Sequence, residues 1–229
     1  MPATRRNGLL ALGGIALAAV LAVVGHLEVN DDLNPWSLTV SDFAVSDRGG
    51  VIDTAMVVLA AASLVLRSAL RRAGAHRPAR ALLAVWAAGL LVTAVVPTNE
   101  PGTAMGTAAY LHRYASVVAF LVLPAAGWLL AGSLGGRATG WLRVLTLTSL
   151  VLAGAMVWSA YPGDRMLIGL AERLLILAEV GLLAVVAATL VRRREVGEVT
   201  ASRAPAHRQL ADVAPGAGRA RQITPARGA

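Results

Sequence analysis

The chain has 229 residues and a formal net charge of +8, yet only 15% of its residues are charged and 56% are hydrophobic. A soluble domain of this length needs far more polar surface, so the composition points to a membrane protein. Cysteine is absent, which excludes disulfides, thiolate metal sites and cysteine nucleophiles.

Six apolar segments follow one another, at about 8–27, 50–70, 81–97, 113–132, 142–160 and 167–191. Each holds roughly 16 to 25 residues, the length that crosses a hydrocarbon core about 30 Å thick as a helix. Helices are required because backbone groups in lipid must be satisfied within the segment, and the alternation of a barrel strand is missing. The first segment, in "RRNGLLALGGIALAAVLAVVGH", also has the outline of a signal peptide, but its apolar stretch is long for one and five more spans follow. It reads as a retained helix ending near His26. A long acidic connection, "HLEVNDDLNPWSLTVSDFAVSDRGGVID", leads to the second span, which carries Asp53 just inside its start. The third span is the shortest and is flanked by Arg77 and Arg80, whose side chains can snorkel. "VPTNEPGTAMGTAAYLHR" then leads to the fourth, with His112 and Arg113 at its mouth and Pro124 near its middle. "YPGDRMLIGLAER" connects the fifth and sixth spans.

The arginines order these spans. Residues 1–8, 67–80, 133–143 and 192–194 hold twelve arginines and no acid, whereas the intervening connections and helix mouths hold nine acids and four arginines. The two sets alternate without exception, so the positive-inside rule predicts a six-helix all-α integral membrane protein of the cytoplasmic membrane with both termini cytoplasmic. Residues 1–191 form its membrane domain. Residues 192–229, rich in Ala, Pro, Gly and Arg, read as a disordered basic cytoplasmic tail suited to anionic headgroups. No aromatic residues interleave with its arginines, so nucleic acid is not an expected partner. Membrane lipids are.

Candidate functional residues gather on the acidic side. In the last span Glu172 and Glu179 are seven apart and share a face. Counted back from Arg192 at 1.5 Å per residue, Glu179 lies about 18 to 20 Å inside the membrane. An acid there costs several kcal/mol unless it is protonated, paired or hydrated, so it must face the bundle interior. Interhelical hydrogen bonding is the bland role for it. Arg173 is expected to pair with Asp53 at the start of the second span. Asp42, Asp53, His112, Arg113, Glu172, Arg173 and Glu179 together are expected to line an outward polar pocket. His26 and His112 are weak candidates for a shared metal, since their spacing matches no metal signature. No nucleophile elbow or phosphate loop occurs, and a haem is disfavoured, so no cofactor is expected.

The blocks "SDFAVSDRGG", "VVPTNEPGTAMGTAAYLHRYAS" and "GLAERLLI" resemble, in order and placement, an uncharacterised bacterial membrane family, domain of unknown function 998. The resemblance spans about residues 8–191 and implies a six-helix membrane protein without an established activity. It carries Asp42, Pro97, His112, Glu172 and Arg173 over as family positions. Where the family's proline block reads to an aspartate, this chain has Pro97, Thr98, Asn99 and Glu100, which shifts the acid. Two functional classes remain: binding or transport of a lipid headgroup or small polar solute, with the arginines meeting phosphate or carboxylate, and a membrane-embedded lipid hydrolase using His112 as base or metal ligand. A third is a structural partner of another membrane protein.

Overall fold

A computed structural model describes residues 3–29, 33–46, 50–100 and 102–211. In chain order the helices are α1 (Ala3–Val29), α2 (Val40–Ser46), α3 (Val51–Arg72), α4 (Arg77–Val95), α5 (Thr107–Leu134), α6 (Gly136–Ala160) and α7 (Ile168–Ala211). No strand occurs among the described residues. Six of the helices, all but the seven-residue α2, are long and apolar enough to cross a membrane. The chain divides into a unit of residues 1–193 and a second of residues 194–229. The membrane helices belong to the first. The expected tail covers the end of α7, and from residue 212 onward it lies outside the described residues, as do Asp31, Asp32, Asp47 and Arg48.

Two helix starts differ from the apolar runs. α5 begins at Thr107 after Gly106, and α6 at Gly136 after Gly135, each about six residues before its expected start. Polar residues at a membrane boundary end an apolar run but not a helix, because the backbone still needs its internal hydrogen bonds. His112 is consequently more than a turn inside α5 rather than at its mouth. The turn between α5 and α6 needs glycine: Gly135 and Gly136 have φ of 64° and 63°, where a Cβ would clash with its own backbone.

The helices pack in sequence, α1 on α3, α3 on α4, α4 on α5 and α5 on α6. α7 reaches several of them. Its Leu182 lies against Gly127 of α5, its Gly181 against Leu145 of α6, and its Val191 against Gly8 of α1. Lipid tails are as apolar as leucine, so burial alone gives these helices little reason to associate; close approach over small residues supplies dispersion contacts instead. Gly14 against Ala62 and Gly25 against Ile52 serve the α1–α3 contact the same way. The core holds Leu66, Leu70, Leu83, Trp86, Leu123, Leu182 and Val186, while Leu17, Val20, Leu147 and Val151 point outward as a lipid-facing surface does.

α2 folds back onto the end of the bundle where α1 meets α3, α4 meets α5 and α6 meets α7. Phe43, Ala44 and Ile52 make a small core of their own there, with Leu33, Leu38, Val40 and Met56 packed against it.

Candidate functional site

Ionisable side chains from three parts of the chain converge on the segment 33–46. Glu172, 5% exposed, accepts the backbone N–H of Val40 at 2.5 Å through Oε2. Arg173 Nη1 donates to the carbonyls of Pro35 (2.9 Å), Leu38 (2.8 Å) and Gly169 (3.0 Å). Its guanidinium lies 4.7 Å from the Phe43 ring centroid, and His26 stacks on Phe43 at 5.0 Å, so Phe43 is flanked by two nitrogen-bearing groups. His112, 4% exposed, reaches Ser41 Oγ at 2.9 Å with Nε2 and the Val96 carbonyl at 2.7 Å with Nδ1.

Asp42 is tied locally and at long range. Its Oδ2 accepts from Thr39 N and Oγ1, both at 2.8 Å, and meets Arg165 at 3.2 Å. Gly169 lets the segment sit down on α7: a Cβ there would run into the carbonyls of Pro35 and Leu38, and Gly169 N donates to Trp36 O at 3.0 Å.

Two cavities flank α2. The larger, about 440 Å³, is lined mainly by apolar side chains, among them Ile15, Met56, Leu59 and Phe120, and also by His26, Ser41, Glu172, Arg173 and Glu179. Val23, Leu27 and Leu177 line it too while being 59%, 70% and 67% exposed. It therefore opens sideways where α1 and α7 carry these exposed residues. The smaller, about 340 Å³, is lined by Ser41, Asp53, Thr93, Thr98 and His112 among others. Ser41 and Thr93 belong to both walls.

Three residues that line the larger cavity each hold a buried polar atom without a partner: His26 Nε2, Arg173 Nη2 and Glu179 Oε1. His26 Nδ1 lies 2.7 Å from the Ala22 carbonyl, which only accepts, so Nδ1 carries the proton and Nε2 of the neutral ring is an open acceptor. Arg173 Nη2 is an open donor. Glu179, 2% exposed, takes Trp86 Nε1 at 3.3 Å on Oε2 and keeps Oε1 free. A buried polar group left unmatched is destabilising by about 1–3 kcal/mol, so these three residues keep unused hydrogen-bonding capacity beside the cavity.

The expected pocket residues thus separate. Glu172, Arg173, Glu179 and His26 line the larger cavity, Asp53 and His112 the smaller, and Asp42 holds α2 without lining either. Arg113 is exposed and lines neither. Successive helical residues are about 100° apart, so with His112 facing inward Arg113 is turned to the surface. Arg173 is directed at carbonyls rather than at Asp53. The His26–His112 metal site is not formed: both ring nitrogens of His112 are engaged, and no group of three or more His, Cys, Asp or Glu suited to a metal occurs among the described residues. Pro124, inside α5, lines neither cavity. Sequence reasoning missed Ser41, Trp86 and Gly169, and Arg165 as the partner of Asp42.

The family model described as Protein of unknown function (DUF998) matches residues 11–189. No curated protein and no solved structure matches the chain.

Proposed function

The chain belongs to the DUF998 family, and from that premise we propose that it is a membrane protein that binds an amphiphile taken from the bilayer. In this reading both termini are cytoplasmic, the membrane is the cytoplasmic one, and the cavities face outward, in keeping with the alternation of arginine-rich and acidic connections. The observation that carries the binding proposal is the larger cavity: apolar walls, a sideways opening between two lipid-facing helices, and three unmatched polar atoms. Its volume suits one small ligand or chain. An apolar chain would cover Ile15, Met56, Leu59 and Phe120, while a headgroup with acceptor oxygens and a hydroxyl would meet Arg173 Nη2 and His26 Nε2. A small polar solute would leave those apolar walls unmatched, so a lipid-like ligand is favoured over it.

The test is titration of delipidated protein with cis-parinaric acid, a fluorescent single-chain carboxylate. Ala22→Phe, on the cavity wall, places a ring in the chain's path and is expected to weaken binding at least about tenfold, equivalent to about 1.4 kcal/mol. Binding to the variant as tight as to the wild type would sink the proposal.

A further inference from the structure

Ser41 and His112 have a geometry that a tether does not need. The Val96 carbonyl, 2.7 Å from Nδ1, can only accept, so the His112 proton sits on Nδ1. In the neutral ring Nε2 then holds a lone pair, and the Ser41 hydroxyl, 2.9 Å away, donates to it. This is the relation of a serine nucleophile to its base, with a third group fixing the base's tautomer and orientation. Here a backbone carbonyl takes the place usually held by a carboxylate. His112 is buried on the long helix α5, with its own carbonyl accepting from Ser116 Oγ at 3.0 Å, so the base is held by a rigid element.

The surroundings supply the other requirements. Ser41 stands on the wall between the two cavities. One side offers apolar walls for a chain, and the other, with Asp53, Thr98 and His112, offers a polar space for water. Arg173, whose Nη2 has no hydrogen-bond partner, lines the chain side.

We infer that Ser41 and His112 are the nucleophile and general base of an esterase-type hydrolase acting on an acyl ester held in the larger cavity; this rests on the amphiphile-binding reading. Ser41 Oγ bonds to the ester carbonyl carbon as its proton passes to His112 Nε2. The adduct's anionic oxygen forms on the cavity side that Arg173 lines. The carbon–alkoxy bond then breaks, and the imidazolium returns the proton to the leaving alkoxide, leaving acyl-Ser41 and an alcohol. Water, deprotonated by the same nitrogen, attacks the acyl carbon and releases the carboxylic acid with the serine restored. Overall, one ester and one water give one acid and one alcohol, and no oxidant or further reactant is needed.

The experiment is labelling of the full-length protein with a long-chain alkyl fluorophosphonate, with the modified residue located by peptide mass spectrometry. The adduct is expected on Ser41, retained in Ser133→Ala, whose hydroxyl bonds to the Leu130 carbonyl away from both cavities, and absent in Ser41→Ala. His112→Gln is expected to slow labelling about 100-fold or more, the usual contribution of a general base. Absence of adduct on Ser41 of the wild type, or labelling unaffected by His112→Gln, overturns the inference, and neither result depends on a variant folding. Parinaric acid titration on the same preparation separates the two ideas. Probe binding without Ser41 labelling leaves a binding protein and no hydrolase, whereas Ser41 labelling without probe binding removes the amphiphile reading and keeps the pair.

Discussion

Arg173 and Arg165 both hold the segment 33–46, and their environments set very different weights. Arg165 meets Asp42 with nearly half of its own side chain exposed, and Asp42 keeps two bonds from Thr39 without it. A screened pair of that kind contributes up to about 1 kcal/mol. Arg173 is charged, gives three hydrogen bonds to carbonyls, two of them in the segment, and lies over Phe43. Hydrogen bonds from a charged donor contribute about 1.5–3 kcal/mol. Thermal unfolding in detergent is therefore expected to show Arg173→Ala several degrees less stable than wild type, with Arg165→Ala close to wild type. Arg173→Lys should fall between them, because an ammonium can still donate to the carbonyls that Nη1 meets but lacks the planar group that lies over the Phe43 ring. Equal effects of the two alanine variants would mean that the carbonyl contacts do not anchor the segment.

At the scale of elements, the join between α2's segment and the start of α7 depends on a missing side chain. A Cβ at Gly169 would collide with two carbonyls of the segment and crowd Arg173 Nη1. Gly169→Ala must push the segment away or bend α7, an overpacking effect of about 1–3 kcal/mol. Gly13→Ala is the control, because a Cβ there meets nothing within 4 Å, and only the Gly169 variant is expected to lower the unfolding temperature. Such joins explain what the sequence disclosed. The six spans were legible because lipid demands long apolar helices, and Glu172, Arg173 and Glu179 stood out because ionisable groups beside lipid have few tolerable settings, whereas Asp42, expected in the pocket, ties down α2 instead. Ser41 carries no such signal; it matters only because α2 folds back and brings it to a histidine 71 residues away. The error at Arg113 came from treating neighbours in sequence as neighbours in space, on a helix that starts earlier than its apolar run. Gly169 reads as an ordinary loop glycine until the segment that lies on it is known.

For the whole molecule, the question that decides what the cavities can reach is which side of the membrane holds them. Both lie at the end where the acidic connections run, with His26, His112, Glu172 and Arg173. The opposite end carries Arg67, Arg71, Arg72, Arg77, Arg80, Arg137 and Arg143 with no acid among its connections. Arginines beside short connections resist translocation, whereas acids contribute little to orientation, so the arginine end is expected to stay cytoplasmic. Single cysteines are clean reporters, since the chain has none of its own. Thr103, in the connection between α4 and α5, and Gly163, between α6 and α7, replaced by cysteine, should react with a membrane-impermeant maleimide on intact cells. Cysteine at Arg72, where α3 ends, should react only after the membrane is opened. Because these sites alternate across the spans, the three results must agree with one another for any six-helix arrangement. Agreement in the reverse sense, with Arg72→Cys labelled from outside and Thr103→Cys protected, would turn the molecule over. The sideways opening between α1 and α7 would then meet the cytoplasmic leaflet, and any amphiphile held there would come from that side.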